Sequence, residues 1–243
     1  TPKLRYLIPK NISLIKRNIE IVGIIRRGKF IIIKLKNNHS IVIHLGMSGR
    51  LRLYNAVNFT KKKHDHVIIS TNNEHFLVFN DARRFGFIDY DLTKLILQKK
   101  YILNLGVEAL DKSLTGKLLF LKISKRVVPI KQILLDQRII AGIGNIYASE
   151  ILYDAKISPF CKGKELSLFQ CNKIVKSVRK ILNKAILSGG STLRDYVSTD
   201  GTLGNFQKQF KVYNKGGEKI LGKYIYKIVQ YGRSTYYCPD LQK

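Results

Sequence analysis

The chain ends in TYYCPDLQK, where Cys238 is followed by Pro239, Asp240 and Leu241. This is half of a C-x-x-C pair. A structural zinc site is closed by about four ligands, so a single thiolate cannot hold the metal. Cys171 falls on a helical apolar stripe, where a free cysteine behaves as a small core hydrophobe. The richer chemistry is cationic. The segment RRGKF sets Lys29 beside Arg26 and Arg27. Neighbouring positive charge lowers a lysine pKa, and a neutral amine serves as base or nucleophile. The turn HLGMSG carries Met47, an apolar side chain that reads as a loop tip rather than core. In GIGNIYASE, Asn145 follows two glycines and can cap a helix, at an end whose N–H groups attract phosphate.

Charge agrees with such a target. There are 44 Lys and Arg against 16 Asp and Glu, a formal net charge of +28. A chain this basic is drawn to polyanions, and nucleic acid gains affinity as each neutralised phosphate releases counterions. The abundance of Ile, Lys, Asn and Tyr also matches an AT-rich gene, so part of the Lys excess is compositional. The odd set Cys161, Cys171 and Cys238 argues against a secreted disulfide framework and fits a reducing compartment. No apolar run approaches the ~20 residues that span a bilayer. TPKLRYLIPK contains no signal-peptide apolar core.

The elements that must hold these residues fall into three parts. KFIIIKL, SIVIHLGMSGRLRLY, HDHVIIST, EHFLVFND and RRFGFIDYDL read as short strands, with turns at Asn37-Asn38 and Asn72-Asn73. Several consecutive short strands predict an antiparallel β-sandwich or barrel. After Leu110 the pattern becomes helical. Pro129 suits a first helical turn, and Ser167 with Gln170 forms a capping box. Leu168, Cys171, Val175, Val178, Leu182 and Ala185 make a buried stripe. Gly189-Gly190 ends that helix. The tail returns to strands, with KYIYKIVQ and TYYC forming a hairpin that has Arg233 at its tip. The expected organisation is multi-domain α+β: a β-sandwich over 1–98, a helical domain over 111–205 and a hairpin module over 206–243, with LNLGVEALDKS as the hinge.

RRGKF, HLGMSGRL, NDARRFG, LLDQRIIAGIGNIYASEILYDAKISP and GGSTLRDYVSTDGTLGNFQKQFKVYN, in this order, resemble the formamidopyrimidine-DNA glycosylase (Fpg/Nei) family over essentially the whole chain. The resemblance implies a helix–two-turn–helix in the middle domain. It implies a bifunctional enzyme that excises oxidised purines (8-oxoguanine, formamidopyrimidines) from duplex DNA and nicks the abasic strand. The lesion must leave the stack to react. Met47, Arg83 and Phe85 match the residues that fill the void and hold the opposite strand. Lys29, His44, Asn145 and Arg233 match the flanking-phosphate contacts, in a cleft between domains. Lys29 also assists elimination at the abasic sugar, and Arg233 belongs with it in the catalytic set. His64 and Arg126 match further DNA contacts. On residue type alone, His64 reads as a strand histidine on a solvated face. Tyr213 and the GGSTLRDYVSTDG loop resemble the segment that closes over the flipped base.

The sequence departs from the family twice. Family catalysis starts from an N-terminal proline amine followed by glutamate. The chain as read opens Thr1-Pro2-Lys3, and alignment places Thr1 well inside the usual start, so the first helix and catalytic terminus are expected to be missing here. The nucleophile is not carried over to Pro2, and a replacement by Lys29 is a hypothesis for a borohydride-trapping test. The family finger binds one zinc ion through two C-x-x-C pairs. Here GGEKILGKY has no cysteine and Leu241 replaces the partner of Cys238, so three of four ligands are gone and Cys238 is a remnant. No cofactor is expected. The hairpin should be held by Tyr224, Tyr226, Ile228, Tyr236 and Tyr237. A non-catalytic binder of lesion or duplex DNA is the alternative, and a general basic RNA binder is disfavoured by the void-filling residues. The protein is expected to act as a cytoplasmic, nucleoid-associated monomer.

Overall fold

The computed structural model describes residues 4–15, 19–71, 74–191 and 204–243. The turn at Asn72-Asn73, the residues Thr1 to Lys3 and most of the GGSTLRDYVSTDG loop lie outside them. The chain divides into two compact units, Thr1–Leu103 with Gly189–Gln207, and Asn104–Ser188 with Lys208–Lys243. Among the described residues no helix is long and apolar enough to cross a membrane.

The first unit contains two antiparallel sheets. One orders β1 (Ile21–Arg27), β2 (Phe30–Leu35), β3 (His39–His44) and β7 (Phe87–Leu92). The other orders β4 (Arg50–Asn55), β6 (His75–Asn80) and β5 (Asp65–Ser70). The core between them joins Ile33, Ile41, Ile43 and Ile88 of the first sheet to Leu51 and Phe79 of the second. Side chains alternate across a strand, so Phe30 and Ile32 turn to the opposite face of β2. There Tyr101 stacks on Phe30 at 5.3 Å. That face is followed by α1 (Thr93–Gln98) and α2 (Lys100–Leu103), which bury Ile96 and Ile102. The sandwich read from the strand pattern is therefore present, with no crossover helix among the described residues.

The second unit contains α3 (Gly116–Ile123), α4 (Ile130–Leu135), α5 (Asn145–Ala155) and α6 (Leu168–Leu187). Two residue pairs, β8 (Val107–Glu108) and β9 (Ile140–Ala141), bond in parallel. The α6 capping box forms as expected, Ser167 accepting from the Gln170 N–H and Gln170 from the Ser167 N–H. The stripe is shifted from its expected course. Cys171, Ile174, Val175, Val178, Ile181 and Ala185 are buried, whereas Leu168 is 45% exposed and Leu182 half-buried. Leu168 is the first residue of α6. Pro129 is the residue just before α4 rather than its first helical residue.

The terminal module holds β10 (Lys219–Ile220), β11 (Lys223–Tyr224), β12 (Tyr226–Gln230) and β13 (Arg233–Tyr237). KYIYKIVQ is not one strand, because Ile225 leaves the ladder to bond the backbone of Gly217 and Glu218. That break reverses which side chains face inward. Ile225, Val212 and Tyr236 form the small core, with Tyr153, Tyr213 and Ile220 against it. Tyr236 and the cross-strand pair of Tyr226 with Tyr237, whose rings lie 6.2 Å apart, pack as expected, whereas Tyr224 is half exposed under Lys219.

Candidate functional site

In the first unit, β1 and β2 are joined by Gly28 and Lys29. Gly28 has φ of 55°, and a glycine first in a two-residue hairpin loop matches the twist of the strands. Lys29 is thereby exposed at the strand ends. Phe30 pairs with His44 across the sheet, which brings Lys29 and His44 together. The His44 ring lies 4.9 Å from Phe30 and stacks on Phe87 at 5.6 Å. Burial, reinforced by the charges of Lys29 and Arg5, pushes its pKa down to about 4. His44 Nδ1 accepts the Gly46 N–H at 3.1 Å. The neutral ring therefore carries its proton on Nε2 and offers that N–H as donor. Arg5 escaped the sequence reading. Its backbone bond to Gly86, 3.1 Å, ties it here, and no local pattern announces such a contact.

Met47 is 59% exposed in the loop between β3 and β4, as a loop-tip reading requires. Phe85 is 44% exposed, and the Arg83 guanidinium lies 5.0 Å from its ring centre. The two loops touch backbone to backbone, since a Cβ on Gly46 would lie 2.5 Å from the Gly86 nitrogen. Their common anchor is Asp81, fully buried. It accepts from Ser48 Oγ at 2.5 Å and from the Gly86 N–H at 2.8 Å. Ser48 Oγ in turn accepts the Arg83 N–H at 3.0 Å. The Asp81 N–H bonds the His64 carbonyl at 3.1 Å. His64 is not on a strand as expected but in the turn before β5, with φ of 74°. Asp81 was missed because NDARRFG reads as a loop, and nothing in it marks a buried carboxylate.

In the second unit, the turn from α4 to α5 is built on Gln137. Its amide bonds the Leu135 and Ile143 carbonyls and accepts the Gly142 N–H. Gly142 has φ of 102°, where only glycine is comfortable. The N-cap of α5 is Gly144, without a capping side chain, and Asn145 is the first helical residue rather than the cap. Asn145 Nδ2 instead donates to the Ser234 carbonyl at 3.0 Å, and its buried Oδ1 has no hydrogen-bond partner among the described residues. Burial raises the Tyr213 phenol pKa, while a hydrogen bond from Asn145 opposes that shift. Glu150, also missed, is buried in α5 and accepts the N–H groups of Lys211, Val212 and Tyr213 at 2.8 to 3.0 Å. Asn145, Tyr213 and the strand that begins at Arg233 are thus joined.

Arg233 follows the two-residue turn Tyr231-Gly232, whose φ values are 50° and 71°. Arg126, Arg138 and Arg233 line one open cavity of about 440 Å³ with Gln132, Asp136 and Tyr231. Arg138 was not anticipated. It grips Asp136 through two bonds, of 2.9 and 2.8 Å. Cys238 is fully buried, and its carbonyl accepts from Leu241 and Gln242. The Gln242 side chain donates to the Ile157 carbonyl at 2.9 Å and accepts the Cys238 N–H at 2.8 Å, so backbone bonds and the Gln242 amide together hold this end of the chain. Among the described residues no group of three or more His, Cys, Asp or Glu is placed to hold a metal ion. The residues present do not fit the zinc that the family resemblance implies.

Cationic and apolar loop residues on a sandwich, with a helix–two-turn–helix carrying a basic hairpin, define a DNA-repair glycosylase architecture. Residues 1–88 match the formamidopyrimidine-DNA glycosylase N-terminal domain, and 105–197 match the formamidopyrimidine-DNA glycosylase H2TH domain. The formamidopyrimidine-DNA glycosylase of Rickettsia bellii is 42% identical over 242 residues, 99% of this chain and 88% of its own. That of Rickettsia felis is 43% identical over 241 residues, 98% of this chain and 87% of its own. Lactococcus lactis Fpg, solved in complex with abasic-site DNA, superposes with a TM-score of 0.88 at 33% identity, covering 96% of this chain and 86% of its own. The chain belongs to the formamidopyrimidine-DNA glycosylase family of base-excision repair.

Proposed function

We propose that this protein is a bifunctional DNA glycosylase that removes oxidised purines from double-stranded DNA and nicks the resulting abasic strand. The observation that carries the reading is the pairing of Met47 with the Arg83–Phe85 couple on two exposed loops fixed by Asp81. An exposed Met and Phe serve no core. They suit the space left by a flipped nucleotide, with Arg83 donating to the base left opposite. The family's structural relatives include a mutant of Lactococcus lactis Fpg bound to Fapy-dG DNA and the wild-type enzyme bound to oxidised-pyrimidine DNA, which supports a damaged base in duplex DNA as substrate.

In this reading the phosphates beside the lesion take four donors. Lys29 and Arg233 supply charge. His44 supplies a neutral Nε2–H, and the uncapped start of α5 at Asn145 supplies its N–H groups and positive dipole end. His64 and Arg126 bind the strand further out, and Tyr213 borders the flipped base. Lys29 moves a proton at the abasic sugar. The hairpin acts without zinc, its place in the fold kept by the core of Val212, Ile225 and Tyr236. The protein works as a monomer on DNA in the cytoplasm.

Incubation with abasic-site duplex and borohydride tests the chemistry. A trapped adduct lost in Lys29→Ala assigns the attacking amine to Lys29. An adduct that persists in that variant moves the attack to another amine. Absence of any adduct, with duplex binding intact, removes the lyase reading and leaves a protein that only binds.

A further inference from the structure

Lys131 is fully buried in α4, between Ile130 and Ile133. Its ammonium donates to the Ser234 carbonyl at 3.0 Å and to Thr235 Oγ1 at 2.7 Å. No carboxylate among the described residues pairs with it. The acids of the two neighbouring helical segments are engaged elsewhere. Asp136 binds Arg138, Glu150 binds the Lys211 to Tyr213 backbone, and Asp154 binds Ser177 and Lys180. The charge that bears on Lys131 is Arg233, of the same sign. Burial, with that repulsion, brings its pKa down to about 8.

A buried ion without a counter-ion works against folding, and an apolar side chain of the same volume is usually the more stable choice. What Lys131 holds explains its presence. The Ser234 carbonyl directly follows Arg233, and it accepts from Asn145 as well as from Lys131. On the other side of the turn, Gln132 Nε2 reaches the Gln230 carbonyl at 3.4 Å. Gln230 is bonded in turn to Thr235 Oγ1 and the Pro159 carbonyl. Both roots of the Tyr231-Gly232 turn are therefore fixed to the helices, while Arg233 itself stays exposed.

We propose that Lys131 is a positioning residue that aims Arg233 and the start of α5 at a single DNA phosphate, and that the bound phosphate supplies the counter-charge this buried ammonium lacks. The inference rests on the DNA-binding reading above. It predicts that Lys131→Met folds like wild type yet binds duplex DNA more weakly by about tenfold or more, equally for damaged and intact sequences. In an Arg233→Ala background the same substitution should have much less effect. Lys131→Arg should not restore affinity, because a planar guanidinium fork cannot replace a compact ammonium in a closed site.

The decisive readout needs no variant. The Lys131 side-chain resonance can be titrated in the whole wild-type protein, free and bound to an abasic-analogue duplex. A pKa that rises on binding, with proton uptake above pH 8, supports the proposal. An unchanged pKa, or a Lys131→Met protein with wild-type affinity, overturns it and makes Lys131 purely structural. If wild-type protein fails to bind duplex DNA at all, the functional reading falls first and this inference with it.

Discussion

Asp81 in the first unit and Lys131 in the second are buried ionisable groups behind exposed candidate residues, and the two are opposite in kind. Asp81 lies under the loops of Met47, Arg83 and Phe85, and its oxygens receive a hydroxyl and a backbone N–H. Lys131 lies under the hairpin root of Arg233, with two neutral acceptors and a like charge beside it. The carboxylate satisfies donors that would otherwise be buried and orphaned, so it serves folding and site geometry together. The ammonium serves geometry at the expense of folding. The difference separates a residue kept by stability from one kept by function.

The largest effect expected from breaking this contrast is on Asp81. Asp81→Ala leaves the Ser48 hydroxyl and the Gly86 N–H without their acceptor, at a cost of about 3 kcal/mol in urea unfolding. Lys131→Met should move the other way, with stability unchanged or raised by up to about 2 kcal/mol. Its pH signature sharpens the point. The Lys131 pKa is about 8 when folded against 10.5 as reference, so the unfolded chain binds more protons in that window. Wild-type stability should therefore gain a contribution as pH rises from about 8 to 10.5, and Lys131→Met should lose that slope.

His44 gives a smaller effect of the same origin. Its folded pKa is about 4 against 6.5, so its contribution to stability is full above 6.5 and is lost as pH falls towards 4. Its ring resonances should show a neutral imidazole throughout the range from pH 6 to 8. A charged ring at neutral pH would contradict the donor role assigned to Nε2. The smallest expected change is none. A chelator should leave Tm and duplex affinity of the hairpin-bearing protein unaltered, and a drop in Tm would reveal a metal held by some other ligand set.

The site was legible in proportion to how local its signals are. Met47 announced itself by the glycines around it, and the α6 capping box by two residues three apart. Lys29 beside Arg26 and Arg27 was visible as a cationic turn. Asp81, Glu150, Arg5 and Lys131 were not visible, because each acts on residues distant in sequence or through backbone groups that carry no residue-type signal. The hairpin core was read only in part, with Tyr236 found and Ile225 missed, for a related reason. One residue leaving a ladder exchanges the two faces of a strand, and only the bonds of Ile225 to Gly217 and Glu218 reveal where that happens.

By itself the sequence determined the family, the order of sandwich, helices and hairpin, the polyanion-seeking charge and the loss of cysteine ligands, since these reside in motif order, periodicity and composition. The tertiary structure alone decided which charges are buried, which carbonyl Lys131 and Asn145 share, and that His44 is neutral. Those properties depend on desolvation and on distances between residues far apart in the chain, which no local pattern encodes.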